Sequence, residues 1–361
     1  MLTRETVAID GEFLSRLSED WFDLLELALF SPRFDEAEFN QCVEQSIDEL
    51  QESTDSDEGL GALAFHRALM TPDKRAIPMK GTPESLKRIT LEDIRYCHTQ
   101  LTQRGRLLIG ACGDINDYVQ SRLERLEETF PESQPASIST SSASTVSDFD
   151  LWLVHKPNRT QFQMFLGSLA PAVHSTNYVG LTIGMSAFGG MFTSRLSQEI
   201  REKRGWSYAA WASYVARADI GWWTARTFPS NEHAFQTLVT MSDMLDALQA
   251  KGLTQDEYEY AVDTLVAGFA FRLQTDKQHL EDAINLRLLN QPSETTENWP
   301  ETVKNTSLGS VNKALTSFEW PRAVCVMVGN ADIIEKSTRD WSRKPQVRRI
   351  SPEDILFDRW L

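Results

Sequence analysis

Arg201 and Tyr208 stand seven residues apart in the stretch FGGMFTSRLSQEIREKRGWSY, residues 188–208. One is cationic and the other phenolic, so both can donate hydrogen bonds into one space. A guanidinium offers a rigid fork of donors, and a phenol offers a single neutral one. The elements that must position them are readable in the same stretch. Gly189 and Gly190 open it, and a helix with Leu196 and Ile200 on its apolar side follows. Gly205 stops that helix, and Trp206 to Val215 then reads as a strand of interleaved small and aromatic residues. A chain leaving a helix often needs φ > 0, which glycine supplies without strain. Arg201 on the last helical turn and Tyr208 at the start of the strand are therefore expected to point into one space. On spacing alone a second reading stays open. Arg201, Glu202, Lys203 and Arg204 would also serve as a solvated helix end, where the helix dipole favours cations.

Length and composition narrow the function classes. The chain has 361 residues, enough for two ordinary domains. Its 41% hydrophobic and 24% charged content is that of a globular protein. A formal charge of −16 argues against nucleic-acid binding and against a basic membrane-facing surface. Cys42, Cys97, Cys112 and Cys325 are scattered without a CxxC pair, so neither a zinc knuckle nor a disulfide framework is indicated. No apolar run approaches the ~18 residues that span a bilayer. Met1 to Asp10 has no signal-peptide pattern.

The organisation suggests a duplication. Residues 133–148 are rich in Ser, Ala and Thr and read as a linker between a part at 1–132 and a part at 149–361. Before the linker, helices are expected from Trp21 to Phe30, from Phe34 to Gln51 and from Leu91 to Leu101. A short buried strand is expected from Arg106 to Cys112. After it, Leu253, Glu257, Tyr258 and Val262 repeat the spacing of Phe34, Glu38, Phe39 and Val43. The run from Arg322 to Gly329-Asn330 echoes that from Arg106 to Gly113-Asp114. The landmarks are 74 residues apart in the first part, Phe39 to Gly113, and 71 in the second, Tyr258 to Gly329. Equal spacing of two landmarks is the mark of a repeated unit. The second part has about 108 residues between Asp150 and Tyr258, whereas 38 precede Phe39. The first copy is therefore expected to lack about 70 residues at its front, by nature or by truncation.

These motifs resemble the pitrilysin-like (M16) zinc peptidases, a family that includes the mitochondrial-processing-peptidase type. The Arg/Tyr segment is similar to the signature of the family's C-terminal domain. LFSPRFDEAEFNQ (29–41) resembles its NPRFDEEEFE helix start, and MKGTPESLKRITLEDI (79–94) resembles its GTEESIKALTREDL loop and helix. HKPNRTQFQMFLG (155–167) resembles its KPGATQAQIRLG strand. The likeness implies an α+β fold of duplicated domains, each a mainly antiparallel sheet with helices packed on one face, the first shortened at its N-terminus. It further implies that Arg201 holds the substrate backbone and that Tyr208 donates to the scissile carbonyl or its oxyanion. Gly189 and Gly190 would flank the bound substrate.

One family feature is missing. The M16 metal site is HxxEH on a helix, two zinc-binding histidines and a glutamate that activates water. None of His66, His98, His155, His174, His233 or His279 lies three or four residues from another histidine. Glu49 falls where the family's third ligand would, but one carboxylate cannot make a catalytic zinc site. Among Glu44, Asp48 and Glu52 it also reads as part of a solvated acidic face. There is no GxSxG elbow, P-loop or GxGxxG after a strand. The resemblance thus implies a chain that binds no metal and is inactive alone, partnered by an HxxEH-bearing M16 subunit that carries the zinc. The two would close on an unfolded peptide. An inert M16-like scaffold subunit and a shortened form of a complete M16 protease are the alternatives. Bacterial two-subunit relatives imply a soluble periplasmic or cytoplasmic location. Trp206, Tyr208, Trp211, Tyr214, Trp222 and Trp223 read as faces of two neighbouring strands, 207–215 and 220–227. The edge of that sheet is able to accept an extended peptide by strand addition.

Overall fold

The computed structural model describes residues 6–103, 105, 107–132 and 148–356. Its first part is helical: α1 (Ser18–Phe30), α2 (Glu36–Ser53), α3 (Asp57–Met70), α4 (Pro83–Leu86), α5 (Leu91–Leu101) and α6 (Asp117–Thr129). The second part opens with β1 (Asp150–His155) and β2 (Gln163–Ala170), followed by α7 (Tyr178–Met185) and α8 (Arg195–Ser197). Next come β3 (Ala210–Ala216), β4 (Gly221–Thr227), α9 (Ala234–Lys251), α10 (Gln255–Phe269) and α11 (Asp276–Leu288). The chain ends with α12 (Trp299–Asn305), α13 (Leu308–Leu315), β5 (Val324–Gly329), α14 (Ala331–Asp340), β6 (Gln346–Ile350) and α15 (Pro352–Leu356). The linker assigned to 133–148 lies, except for Asp148, outside the described residues.

Two compact units are formed. One comprises Met1–Leu50, Met79–Ser139 and Leu273–Asn285, the other Gln51–Pro78, Thr140–Arg272 and Leu286–Leu361. In the first, Arg122 of α6 reaches Asp23 and Glu26 of α1 at 2.9 Å each, and the Phe30 and Phe130 rings meet edge to face. The second is built on one six-stranded sheet of order β3-β4-β2-β5-β1-β6. β3-β4, β4-β2 and β2-β5 are antiparallel, while β5-β1 and β1-β6 are parallel, so the sheet is mixed but mainly antiparallel. β3 is an edge strand. The larger core lies where Leu151, Leu153, Met164, Leu166 and Met327 meet Leu196, Ile200, Leu238, Met241 and Leu315 of the helices. The opposite face, with Trp152, Phe165, Val326 and Val328, is covered by Leu60, Phe65 and Leu69 of α3.

Local chemistry reproduces the repeated landmarks. Asp35, just after Phe34, accepts from the Ala37 and Glu38 N–H groups at the start of α2. Thr254, just after Leu253, caps α10 in a reciprocal box with Glu257. One expectation fails between the copies. The run Val324–Gly329 is a fully buried strand, but 107–112 forms no strand, and Leu108 is exposed. β5 is held by neighbours on both sides, β2 and β1. No strand lies beside 107–112 among the described residues of its unit. A strand-like sequence becomes a strand only when its backbone groups find a ladder. No helix among the described residues is long and apolar enough to cross a membrane.

Candidate functional site

The glycine pair precedes the helix that carries Arg201, as the sequence order requires. Gly189 and Gly190 close α7 through a wide π-type turn, Ser186–Gly190. Gly189 is buried against β3, where a Cβ would come within 2.4 Å of the Ala212 Cβ and 2.5 Å of its nitrogen. The absence of a side chain is what permits this approach. Both glycines line a cleft of about 330 Å³ with Ser186, Trp211, Ser213 and Tyr214 on the side of β3.

After the link 191–194, Ser194 caps α8, which continues as a second π-type turn, Gln198–Lys203. Leu196 and Ile200 are fully buried and anchor this helix. It ends as expected at Gly205, whose φ is +64°. The Gly205 N–H donates to the Arg201 carbonyl and the Trp206 N–H to the Ile200 carbonyl, so the helix end is satisfied. The strand begins later than the sequence suggests, at Ala210. Ser207 to Ala209 instead form a corner fastened to the end of β4. The Ser207 Oγ donates to the Ala209 carbonyl and accepts from the Phe228 N–H, and the Thr227 hydroxyl donates to the same carbonyl. These side-chain bonds take the place of ladder bonds and hold Tyr208 outward.

Arg201 and Tyr208 meet across this corner. The Arg201 guanidinium carbon lies 5.5 Å from the Tyr208 ring centroid and 4.3 Å from that of Phe192. Both rings are conspicuously exposed, Phe192 at 67% and Tyr208 at 80%. The acidic group near Arg201 is its neighbour Glu202, at 3.4 Å. The Tyr208 hydroxyl has no hydrogen-bond partner among the described residues. Phe192 was not singled out in the sequence. The available signal was an aromatic residue in a Gly-Gly-Met-Phe-Thr-Ser link between two helices, a setting that seldom buries a large ring.

Arg204, one turn on, is differently placed. It pairs with Glu199 at 2.8 Å and lies 4.4 Å from the Trp206 ring, which stacks on His233. Burial works against the Glu199 charge, but hydrogen bonds from Arg204 and Lys203 prevail and hold its carboxyl below the usual range. At the other end of the helix Arg195 makes a two-pronged contact with Glu257 and also donates to the Gly252 carbonyl.

A zinc centre does not fit the described residues. Catalytic zinc needs three protein ligands and an open position. Among the described residues no group of three or more His, Cys, Asp or Glu side chains is disposed to hold a metal ion. Glu49 is exposed and pairs with Lys80 at 2.5 Å. Of the histidines, His155 accepts from the Ala331 N–H, His174 contacts Gln291, and His233 stacks on Trp206.

Residues 88–265 match the family described as the peptidase M16 inactive domain. A Bacillus subtilis protein named as an uncharacterized zinc protease, YmxG, is 22% identical over 70% of this chain and 61% of its own length. The chain thus spans about three fifths of that relative. A Helicobacter pylori protein named as a non-peptidase homolog is 21% identical over 85% of this chain and 71% of its own length. The crystal structure of a peptidase M16 inactive domain from Pseudomonas fluorescens superposes with a TM-score of 0.80 at 19% identity. It covers 88% of this chain and 76% of that one, and establishes the fold. The matched sequence over residues 88–265 and the shared fold show that this chain carries the peptidase M16 inactive domain.

Proposed function

We propose that this chain is the non-catalytic, substrate-positioning subunit of a two-subunit M16-type zinc metallopeptidase acting on unfolded peptides. The observation that carries the reading is the exposed Tyr208 ring beside the half-buried Arg201 guanidinium, brought together on two anchored pieces of backbone. Folding does not reward leaving a tyrosine ring exposed beside a half-buried guanidinium. Binding an extended peptide does. In this reading Arg201 holds a peptide carbonyl and Tyr208 donates to the oxygen that becomes the oxyanion, where a preorganised donor has its largest effect. In this reading the peptide runs along the edge strand β3 and the cleft lined by Gly189 and Gly190. The zinc would then belong to a partner chain bearing HxxEH, because the described residues of this chain do not supply a ligand set. The non-peptidase naming of the Helicobacter pylori relative supports the same division of labour. A soluble heterodimer in a bacterial periplasm or cytoplasm is the accompanying proposal.

The test is a peptidase assay on a quenched, unstructured peptide in the presence of zinc. The chain is assayed alone and mixed with an HxxEH-bearing M16 chain from the same source. Cleavage in the mixture only, lost with Arg201→Ala or Tyr208→Phe, is the expected result. Cleavage by the chain alone would overturn the division of labour. A stable complex indifferent to both substitutions would make this chain a scaffold.

A further inference from the structure

We propose that Phe192 is a third positioning residue, which clamps the Arg201 guanidinium against Tyr208 so that it meets a peptide backbone in one fixed orientation. The inference rests on the peptide-positioning role of Arg201 and adds the residue that gives that role its geometry. Arg201 lies closer to Phe192, at 4.3 Å, than to Tyr208, at 5.5 Å, both within the range of cation–π attraction. The two rings come from different segments. Tyr208 belongs to the corner tied down by Ser207 and Thr227, whereas Phe192 belongs to the link before α8. That link is also fixed. The Ser194 N–H donates to the Met191 carbonyl, and Ser194 caps the helix whose Leu196 and Ile200 are buried.

An arginine at a helix end otherwise keeps much of its rotamer freedom, which a ligand must then freeze. The pair with Glu202 does little to prevent this, since Glu202 is exposed and the two are chain neighbours. Rings bracketing the guanidinium remove that freedom before the peptide arrives. Phe192 gains little from folding in return, because 67% of it faces solvent. Its aromatic face, more than its bulk, is therefore the property that matters.

The assembled enzyme is assayed with Phe192→Leu, Phe192→Tyr, Arg201→Ala and the Phe192→Leu/Arg201→Ala double variant. Phe192→Leu is expected to raise KM about 3- to 10-fold, the size of one cation–π contact, with kcat nearly unchanged. Phe192→Tyr is expected to restore the KM, and neither single variant should move the melting temperature. In the Arg201→Ala background Phe192→Leu should have no further effect, because its action runs through that arginine. An unchanged KM in Phe192→Leu overturns the inference, as does an equal effect with and without Arg201. Both of those outcomes leave the Arg201 role standing. If Arg201→Ala itself is silent, the peptide-positioning reading fails and this one with it.

Discussion

Three arginines of one short segment end in two kinds of surroundings. Arg195 is held by both oxygens of Glu257 and by the Gly252 carbonyl, and Arg204 by Glu199 and the face of Trp206. Trp206 is packed against the main core and stacked on His233, so the Arg204 contacts end inside the fold. Arg201 sits between them on the same helix, and its contacts end in solvent, on two exposed rings. The flanking arginines have finished interactions that fix the helix at its two ends. The central one is fixed in place but left with donors to spare. Charge and helix position are nearly the same for Arg201 and Arg204. What separates them is which acid and which ring the corner brings alongside.

The comparison is broken most forcefully on the solvent side. Tyr208→Phe keeps the ring beside Arg201 and removes a hydroxyl that has no partner among the described residues. Assembly and melting should be unchanged, while turnover of the assembled enzyme falls roughly 10²-fold or more, about 2.7 kcal/mol. Undiminished turnover would show that the outward pair has no part in chemistry. Next in size is the support beneath it. Gly189→Ala would drive a methyl group into Ala212, and overpacking of this kind costs about 1–3 kcal/mol. Gly190→Ala, whose new atom would find nothing nearer than 3.5 Å, should fold normally. Urea unfolding of the two variants checks this, and equal midpoints would mean that the turn yields freely.

The arginines themselves give a smaller contrast. Arg204→Ala removes an ion pair and a ring contact and should lower stability by about 1 kcal/mol without touching peptide turnover. Arg201→Ala should do the reverse. If both variants lose stability equally, Arg201 is a structural residue like its neighbour.

Much of this arrangement was legible in the residues. The helices 91–101 and 21–30 and the stop at Gly205 came from periodicity and from glycine's tolerance of φ > 0. The nearness of Arg201 and Tyr208 followed from that stop. The failures share a cause, which is that their decisive partners are distant in sequence. α3 carries Gly59 and Gly61, which weaken any local helix signal, and it is held by a sheet about 100 residues further on. Residues 107–112 carry a strand pattern but have no strand beside them among the described residues. Gly189 carries no local sign of its contact between the end of α7 and β3. Phe192 gave no periodic signal at all, because its partner is a charge and not a core.

The smallest effect expected concerns the finished end of the segment. Burial raises the cost of charging Glu257, but the hydrogen bonds from Arg195 and from the Thr254 N–H outweigh it, and its carboxyl is held below the ordinary value of 4.5. A carboxylate whose pKa is lower folded than unfolded favours the fold wherever it is ionised in both states. That contribution is complete above about pH 4.5 and drains away as the pH falls through the lower, folded value. Glu257→Gln should therefore be less stable than the parent at pH 7 by about 0.5–1 kcal/mol, the scale of a partly exposed pair. The gap should close in acid. Melting curves of both proteins between pH 7 and pH 3 measure it directly. A gap that stays constant with pH would mean that Glu257 holds α8 by shape and neutral hydrogen bonding. The distinction between the finished arginines and Arg201 would then rest on Arg204 alone.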